Sequence, residues 1–293
     1  MLSYVNARIE KLRQIMRQEK IQTVIIEKPE NVMYYAAFNP VINSAPVLFL
    51  LDVDKEPCLL VHSIRGTHAK EEAAISNIQL YGLWGNSQPV AIEQLEAVKK
   101  ILGSHSKKLG LELDYLPVNT YRDMIKKLCP EEIISISQFI NKQKIIKDKW
   151  EVACIRKAAE LADCGVENTI MALARGCSEA EATTEGQYAM RKLWHKKFPE
   201  TEVSSYGTLD GGNVDGLQVW CLSNEHIAYG CDCPRNYYPQ EGDLSLPMAW
   251  ARVNGYNAET ERTILVGTVN TVKQRAYDSM LQAREKVFKI SFL

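Results

Sequence analysis

Short apolar runs alternate with stretches of helical spacing through the first 140 residues, and this alternation constrains the fold more than any other feature. Runs of strand length lie at 23–27, 45–54, 57–63, 78–83, 108–114 and 131–137. Helical spacing is found at about 3–18, 90–102 and 117–128. Strands that alternate with helices indicate an α/β domain, which we place at residues 1–140.

The second half of the chain begins with two long helices, and a capping box marks the start of each. Asp148 is followed three residues later by Glu151, and Ser178 is followed three residues later by Glu181. Further strands are predicted at 202–209, 217–223, 243–250 and 252–267, and a closing helix starts near residue 271. Helices followed by a sheet and a final helix predict an α+β domain over residues 141–293.

The stretch RVNGYNAETERTILVG, residues 252–267, has the two-residue alternation of a β-strand. This alternation places Asn257, Glu259, Glu261 and Thr263 on one face of the strand. Such an acidic face is either a set of metal ligands or a solvated surface. The alternation by itself leaves both interpretations open.

Charge and hydropathy exclude several classes of protein. Lys and Arg number 35 against 36 Asp and Glu, so the chain has no excess of positive charge for binding nucleic acid. Charged residues interrupt the apolar positions of the N-terminus, which excludes a signal peptide, and no apolar stretch is long enough for a membrane span. The eight cysteines are scattered, as in proteins of reducing compartments. We therefore expect a cytoplasmic protein that binds neither nucleic acid nor membrane.

Five segments together resemble the superfamily of aminopeptidase P, prolidase and creatinase. They are NVMYYAAFNP (31–40), KQKIIKDKWEVACIRKAAELAD (142–163), GCSEAEATTEGQYAM (176–190), EGDLSLPMAW (241–250) and NGYNAETERTILVG (254–267). The resemblance implies an α/β N-terminal domain of the creatinase/prolidase type followed by an α+β pita-bread domain. Peptidase members hydrolyse the bond before a proline with two divalent metal ions such as Mn²⁺, whereas creatinase members cleave a C–N bond without metal.

The resemblance also implies which positions would bind the metal ions, and this sequence departs from the family pattern there. The first aspartate position falls on Met248, whose neutral thioether is a poor ligand for a hard divalent cation. The second position falls on Glu259, which keeps the charge but is one methylene longer. The chain ends before the region of the remaining family ligands, a His and two Glu. We therefore expect no metal cofactor in this chain and treat Glu259 as a degenerate ligand.

The creatinase branch implies a different pair of catalytic candidates. In that branch a histidine follows a serine by eight residues and precedes the Gly-Asp aspartate by twelve. Counting from Ser223 and from Asp243, both spacings reach Cys231. A thiolate beside a base can act as a nucleophile, and His226 lies five residues away. The alternative, that Cys231 is a small residue in a degenerate site, stays open.

Other residues give weaker signals. Arg65 lies between His62 and His68, and these side chains would contribute to substrate binding from a dimer partner, since creatinase-type relatives build the site across two subunits. A plain surface role for them is the alternative. Trp220 and Trp250 have strand spacing and are expected in the core.

These observations predict a C–N hydrolase homologue whose ancestral substrate is a small amide or a proline-containing peptide, and which forms a homodimer. The chain stops at KISFL without a cap or turn, so we expect an incomplete pita-bread domain and no activity. The alternative is a non-catalytic small-molecule binding or dimerisation module. A further alternative is a frameshifted fragment, whose open sheet edge would favour aggregation.

Overall fold

The computed structural model describes residues 1–103, 108–207, 216–229 and 232–291, which form two compact units. The first unit comprises Met1–Val152 and a short segment that starts at Ser204. It extends beyond the predicted boundary at residue 140, because buried Arg8 binds Asp148 with Nη2 2.7 Å from Oδ2. The second unit starts at Ala153.

The first unit is an α/β domain, as the alternation predicts. Its strands are β1 (Thr23–Ile26), β2 (Leu48–Asp52), β3 (Cys58–His62), β4 (Ile78–Tyr81), β5 (Lys108–Leu111) and β6 (Glu132–Ser135). Its helices are α1 (Leu2–Gln18), α2 (Pro29–Ala36), α3 (Gly66–Glu72), α4 (Gln94–Leu102), α5 (Val118–Leu128) and α6 (Ser137–Ile145).

The strands of the first unit form one sheet in the order β4-β3-β2-β1-β5-β6. Strand β2 runs antiparallel to both neighbours, and the β1–β5, β5–β6 and β3–β4 pairs are parallel. Val24 and Ile26 of β1 pack in a core cluster with Leu12 of α1, whereas Ile25 packs in a second cluster with Val98 of α4. Helices therefore cover both faces of this sheet, which explains the nearly continuous apolar strands.

Three helices of the first unit, α2, α3 and α6, were not predicted. In α2 every residue from Asn31 to Ala36 is buried, so the helix lacks the polar face that makes a helical period visible. Helix α3 has only seven residues and begins at Gly66, which is a poor helix former. Helix α6 follows β6 almost directly, without a turn signal between them.

Two long helices open the second part of the fold, α7 (Lys149–Ala174) and α8 (Glu179–Lys197). Both predicted capping boxes are confirmed. Asp148 N–H donates to Glu151 Oε2 at 2.7 Å and Glu151 N–H donates to Asp148 Oδ1 at 2.9 Å. Ser178 and Glu181 make the same reciprocal pair at 2.8 and 3.3 Å. Each box thus satisfies two N–H groups that a helix start leaves unpaired.

The sheet of the second unit is antiparallel and consists, in the described residues, of β7 (Leu217–Ser223), β8 (Leu244–Val253), β9 (Tyr256–Glu261) and β10 (Ile264–Leu265). Strand β8 pairs with each of the other three. The predicted strand at 202–209 is wrong for residues 202–207, which form no strand. Gly207 has φ +67° in a turn, and its N–H donates to Pro40 O. Residues 208 and 209 lie outside the described residues.

Helices α7 and α8 cover one face of this sheet through a close glycine contact. A Cβ built on Gly186 would lie 2.7 Å from the carbonyl oxygen of Gly165 and 3.3 Å from Val219 Cγ1. The same face of the sheet buries Ala249 and Thr260, and Thr260 Oγ1 donates to Asp163 Oδ1 at 2.7 Å. Only residues without a side chain permit this approach of two helices and a sheet.

The opposite face of the sheet carries the side chains that alternate with the helix-covered ones. We call this surface the open face and define it by five residues: Trp220, Met248, Trp250, Glu259 and Glu261. The tryptophans are half-buried and both glutamates are exposed.

The predicted closing helix is α9 (Thr271–Ser291), and none of its described residues is buried. Lys273 near its start donates to Gly242 O at 2.6 Å. Among the described residues, none of the helices combines the length and the apolar character that a membrane span requires.

Candidate functional site

The pairing of β7, β8 and β9 places the five side chains of the open face next to one another. Met248 lies directly opposite Glu261, and Trp250 lies opposite Glu259. On the other side of β8, Trp220 lies opposite Met248. Directly opposed residues of antiparallel strands point to the same side of a sheet, so these five side chains are neighbours. Thr263, which the sequence placed on the same face, follows the end of β9.

The two glutamates of the open face interact with each other. Partial burial raises the pKa of Glu261, and a hydrogen bond with Glu259 and the negative charge of Glu259 raise it further. Two carboxylates in contact favour the uptake of a proton or of a cation, because either one removes the repulsion between like charges.

The donor set of the open face does not fit a pair of divalent metal ions. Such ions need several oxygen or imidazole ligands, with carboxylates that bridge them. Here the carboxylates of Glu259 and Glu261 lie beside the thioether of Met248 and the indole of Trp250. No cluster of three or more His, Cys, Asp or Glu side chains able to hold a metal ion occurs within the described ranges. The expectation that this chain takes no metal cofactor stays a prediction.

Trp220 and Trp250 do not lie in the core, contrary to the expectation from strand spacing. Both are half-buried on the open face, and their ring centroids are 5.9 Å apart with the planes at 83°. The spacing was correct for a strand, but these residues occupy the side that α7 and α8 do not cover. An edge-to-face aromatic pair beside two carboxylates offers a flat apolar surface and negative charge to a ligand.

His226 lies on the other side of the sheet. It belongs to a 3-10 helix, Asn224–Tyr229, and it is buried, with Nδ1 3.6 Å from Glu179 Oε1. Glu179 in turn lies near Cys221, which shares the helix-covered face with Val219. Burial raises the pKa of Cys221 to about 12, and the charge of Glu179 adds to that increase. His226 and Glu259 therefore do not form one site.

Cys231, the other catalytic candidate, lies outside the described residues. Its pairing with His226 as nucleophile and base stays a prediction. Within the described residues, Nδ1 of His226 already faces the buried carboxylate of Glu179. That carboxylate would compete with Cys231 for this imidazole nitrogen.

Arg65 ends a short 3-10 helix, Ser63–Arg65, in the first unit. Its guanidinium lies 5.2 Å from the ring centroid of Phe38, and Nη2 is 3.6 Å from Glu72 Oε2. Nε of Arg65 is buried and makes no hydrogen bond within the described residues. His62 accepts the N–H of Ile64 at 3.2 Å, which gives it a structural role at the start of this helix. A role of Arg65 in substrate binding stays a prediction.

Glu179 is a buried ionisable group that the sequence did not reveal. It is fully buried, although it is the first residue of α8 and directly follows the capping serine. A glutamate in the first turn of a helix is normally expected to be exposed to solvent and to interact with the positive end of the helix dipole. The only available signal was its position beside a capping box, which does not distinguish a buried side chain from an exposed one.

Comparison with known proteins gives two family matches in succession along the chain. Residues 8–146 match the Creatinase/Prolidase N-terminal domain, and residues 153–292 match the Metallopeptidase family M24. An Xaa-Pro dipeptidase of Pyrococcus furiosus is 27% identical over 282 residues, which cover 95% of this chain and 70% of that protein. A creatinase of Bacillus sp. is 24% identical over 273 residues, which cover 89% of this chain and 60% of that protein.

Solved structures show the same fold. A prolidase from Pyrococcus horikoshii OT3 superposes with a TM-score of 0.75 at 24% identity over 96% of this chain and 71% of that one. An X-Pro aminopeptidase from Thermotoga maritima MSB8 superposes with a TM-score of 0.72 at 18% identity over 94% of this chain and 72% of that one. The α/β unit and the antiparallel unit thus correspond to the two domains of these proteins. The chain belongs to the aminopeptidase P, prolidase and creatinase superfamily, with a creatinase/prolidase N-terminal domain followed by an M24 pita-bread domain.

Proposed function

We propose that this chain is a homologue of Xaa-Pro peptidases and creatinases that does not carry out metal-dependent hydrolysis. Met248 is the observation that carries the proposal, because it lies opposite Glu261 at the position where the resemblance implies an aspartate. A thioether supplies neither the charge nor the two oxygens with which a carboxylate bridges two hard cations. Affinity at such a site depends on several carboxylates acting together, and here one of them is replaced by an apolar side chain.

Hydrolysis of an Xaa-Pro dipeptide by the purified chain in the presence of Mn²⁺ tests the proposal. We expect no release of proline above that of Mn²⁺ in buffer. The Glu259→Gln variant is a matched control, and it should behave like the unchanged chain, since Glu259 lacks a carboxylate partner at position 248. Proline release that depends on Mn²⁺ and on Glu259 would overturn the proposal.

The remaining sequence predictions belong to the same proposal. We infer a cytoplasmic homodimer in which Arg65 contacts a small amide or proline-containing compound bound by the partner copy. The unpaired Nε of Arg65 supports this role, because a buried N–H without an acceptor gains most from a ligand that supplies one. An Arg65→Lys variant that binds such a compound as well as the unchanged chain would contradict it.

A second candidate function is non-catalytic binding of a small molecule on the open face. The edge-to-face pair of Trp220 and Trp250 beside Glu259 favours it, since aromatic faces and carboxylates both attract a cationic group. Isothermal titration with guanidino, betaine-like and prolyl compounds tests this function. We expect saturable binding without turnover, which Trp250→Leu weakens roughly 3- to 30-fold through the lost cation–π contact. A matched Tyr188→Leu variant, on the exposed surface of α8, should leave binding unchanged.

A further inference from the structure

Two buried polar atoms face each other at the start of α8. Glu179 is fully buried, and its Oε2 accepts the backbone N–H of Arg235 at 3.0 Å. Its Oε1 lies 3.6 Å from His226 Nδ1. Both of these last atoms are buried, and neither has a hydrogen-bond partner within the described part of the chain. Buried polar groups in folded proteins are normally hydrogen-bonded, so we expect one of these two atoms to carry a hydrogen and donate to the other.

A proton on His226 would supply that donor. In the neutral imidazole, Nδ1 either carries the hydrogen and donates a neutral hydrogen bond, or presents a lone pair that the carboxylate oxygen repels. With hydrogen on Nδ1 in the charged imidazolium, the same contact becomes a charge-assisted hydrogen bond. The distance of 3.6 Å lies beyond the hydrogen-bond range by a few tenths of an ångström. A small displacement of the imidazole closes it.

Aromatic and charged groups surround the imidazole. The ring of Tyr237 lies 5.6 Å from that of His226, and its hydroxyl donates to Asp243 Oδ2 at 2.6 Å. Tyr229, on the same 3-10 helix, lies 6.2 Å away. The pKa of Asp232 is lowered, first by the N–H of Cys233, then by Arg235, and also by the charge of His226. Arg235, a cation in the next described segment, pairs with Asp232, with Nη2 2.6 Å from Oδ2.

Two described chain segments meet the start of α8, and different groups attach them to it. The segment around Arg235 is attached by backbone groups, since Glu179 N–H donates to Tyr237 O at 2.9 Å and Ala180 N–H donates to Arg235 O at 3.1 Å. These bonds do not change between pH 5 and 8. The 3-10 helix Asn224–Tyr229 meets Glu179 through His226, and imidazole is the side chain that changes charge in that range.

We propose that His226 and Glu179 form a proton-operated latch in the second unit. Protonation of His226 strengthens the link between the 3-10 helix Asn224–Tyr229 and the N-terminus of α8 to a charge-assisted one, and loss of the proton weakens it. The latch goes beyond the proposed function, because it requires neither a metal ion nor a bound compound. It makes the end of β7 and the segment after it tighter in mildly acid solution than in alkaline solution.

Hydrogen exchange of the full chain tests the latch. Amide protection of residues 224–229, corrected for intrinsic rates and expressed relative to α7, should fall several-fold as the pH rises from about 5.5 to 8. His226→Gln should abolish this dependence, and His195→Gln, at an exposed position near the end of α8, should retain it. An equal pH dependence in the unchanged chain and in His226→Gln would overturn the proposal.

A second measurement needs no variant. In the unchanged chain, the ¹⁵N signals of the His226 ring and the amide signals of residues 224–229 should titrate together. Glu179→Gln, which keeps the shape of the side chain and removes its charge, should uncouple the two titrations. Ring signals that titrate while the amides of residues 224–229 stay constant would overturn the latch, even if both variants fail to fold.

Discussion

Met248 lies directly opposite Glu261 on the paired strands β8 and β9, so a thioether and a carboxylate share one side of the sheet. Glu259 lies two residues before Glu261 on the same strand and is hydrogen-bonded to it. Replacing the thioether by a carboxylate would therefore create a group of three acidic side chains.

We expect Met248→Asp to bind Mn²⁺ at least about tenfold more tightly than the unchanged chain, because added carboxylates raise the affinity of a site for hard cations. Isothermal titration with Mn²⁺ measures the change. Met248→Asn is the matched control, since it has the same shape without the charge, and it should gain little. Equal affinities of the Asp and Asn variants would show that the side chain at 248 does not face Glu261.

Gly186 should tolerate no side chain. A Cβ there would lie 2.1 Å from Thr169 Oγ1 and 2.7 Å from the Gly165 carbonyl oxygen. We expect Gly186→Ala to lower the free energy of unfolding by about 1–3 kcal/mol through overpacking, measured by urea denaturation. Lys196→Ala, at an exposed position of the same helix, should change it by less than about 0.5 kcal/mol. A stable Gly186→Ala chain would mean that α7 and α8 can separate without cost.

Glu27 should make the first unit less stable as the pH rises. Burial, and then the charge of Glu112, raise its pKa from 4.5 to about 7. Since the folded state holds the proton more tightly than the unfolded state, the stability that this proton contributes is present below pH 4.5 and is lost as the pH rises to about 7.

We expect Glu27→Gln to be more stable than the unchanged chain at pH 8 by about 1–3 kcal/mol and to differ little at pH 4.5. Urea denaturation at both pH values measures this. Glu30→Gln, an exposed neighbour, serves as the control. A Glu27→Gln chain that is equally stable at both pH values relative to the unchanged chain would contradict the raised pKa.

Arg8 should be essential for the first unit. Its side chain is buried, and it donates to Asp148 Oδ2 at 2.7 Å and to Tyr34 O at 2.9 Å. We expect Arg8→Gln to cost about 3–5 kcal/mol of unfolding free energy, because it leaves Asp148 and the buried Glu151 without their cation. Thermal and urea denaturation measure this loss. The exposed Arg17→Gln is the control, and a loss of similar size there would point to a general effect of charge.

Local signals in the sequence predicted most of the elements. The capping boxes at Asp148 and Ser178 were found because all of their atoms lie within one helical turn. Helix α2 was missed because it is buried on every side, which removes the contrast between polar and apolar positions.

The candidate site depended on information that is not local. Alternation showed that Glu259 and Glu261 share a face, but it could not show that α7 and α8 cover the other one. The same limit applies to Trp250. Its spacing correctly predicted a strand, but the expected position in the core was wrong, because its side chain lies on the open face. The contact of His226 with Glu179 joins two residues that lie far apart in the sequence, so no local spacing predicts it.

Helix α9 buries none of its described residues, so we expect its unfolding to be only weakly coupled to the unfolding of the sheet. Most of the stability of a helix in a protein comes from packing of its apolar face, and the described residues of α9 lack such packing. Its turns should therefore melt independently, and a spectroscopic probe on α9 should report a broad, early transition. The fluorescence of the Trp220 and Trp250 pair should follow a later and sharper one. A single melting temperature would describe only the second of these events.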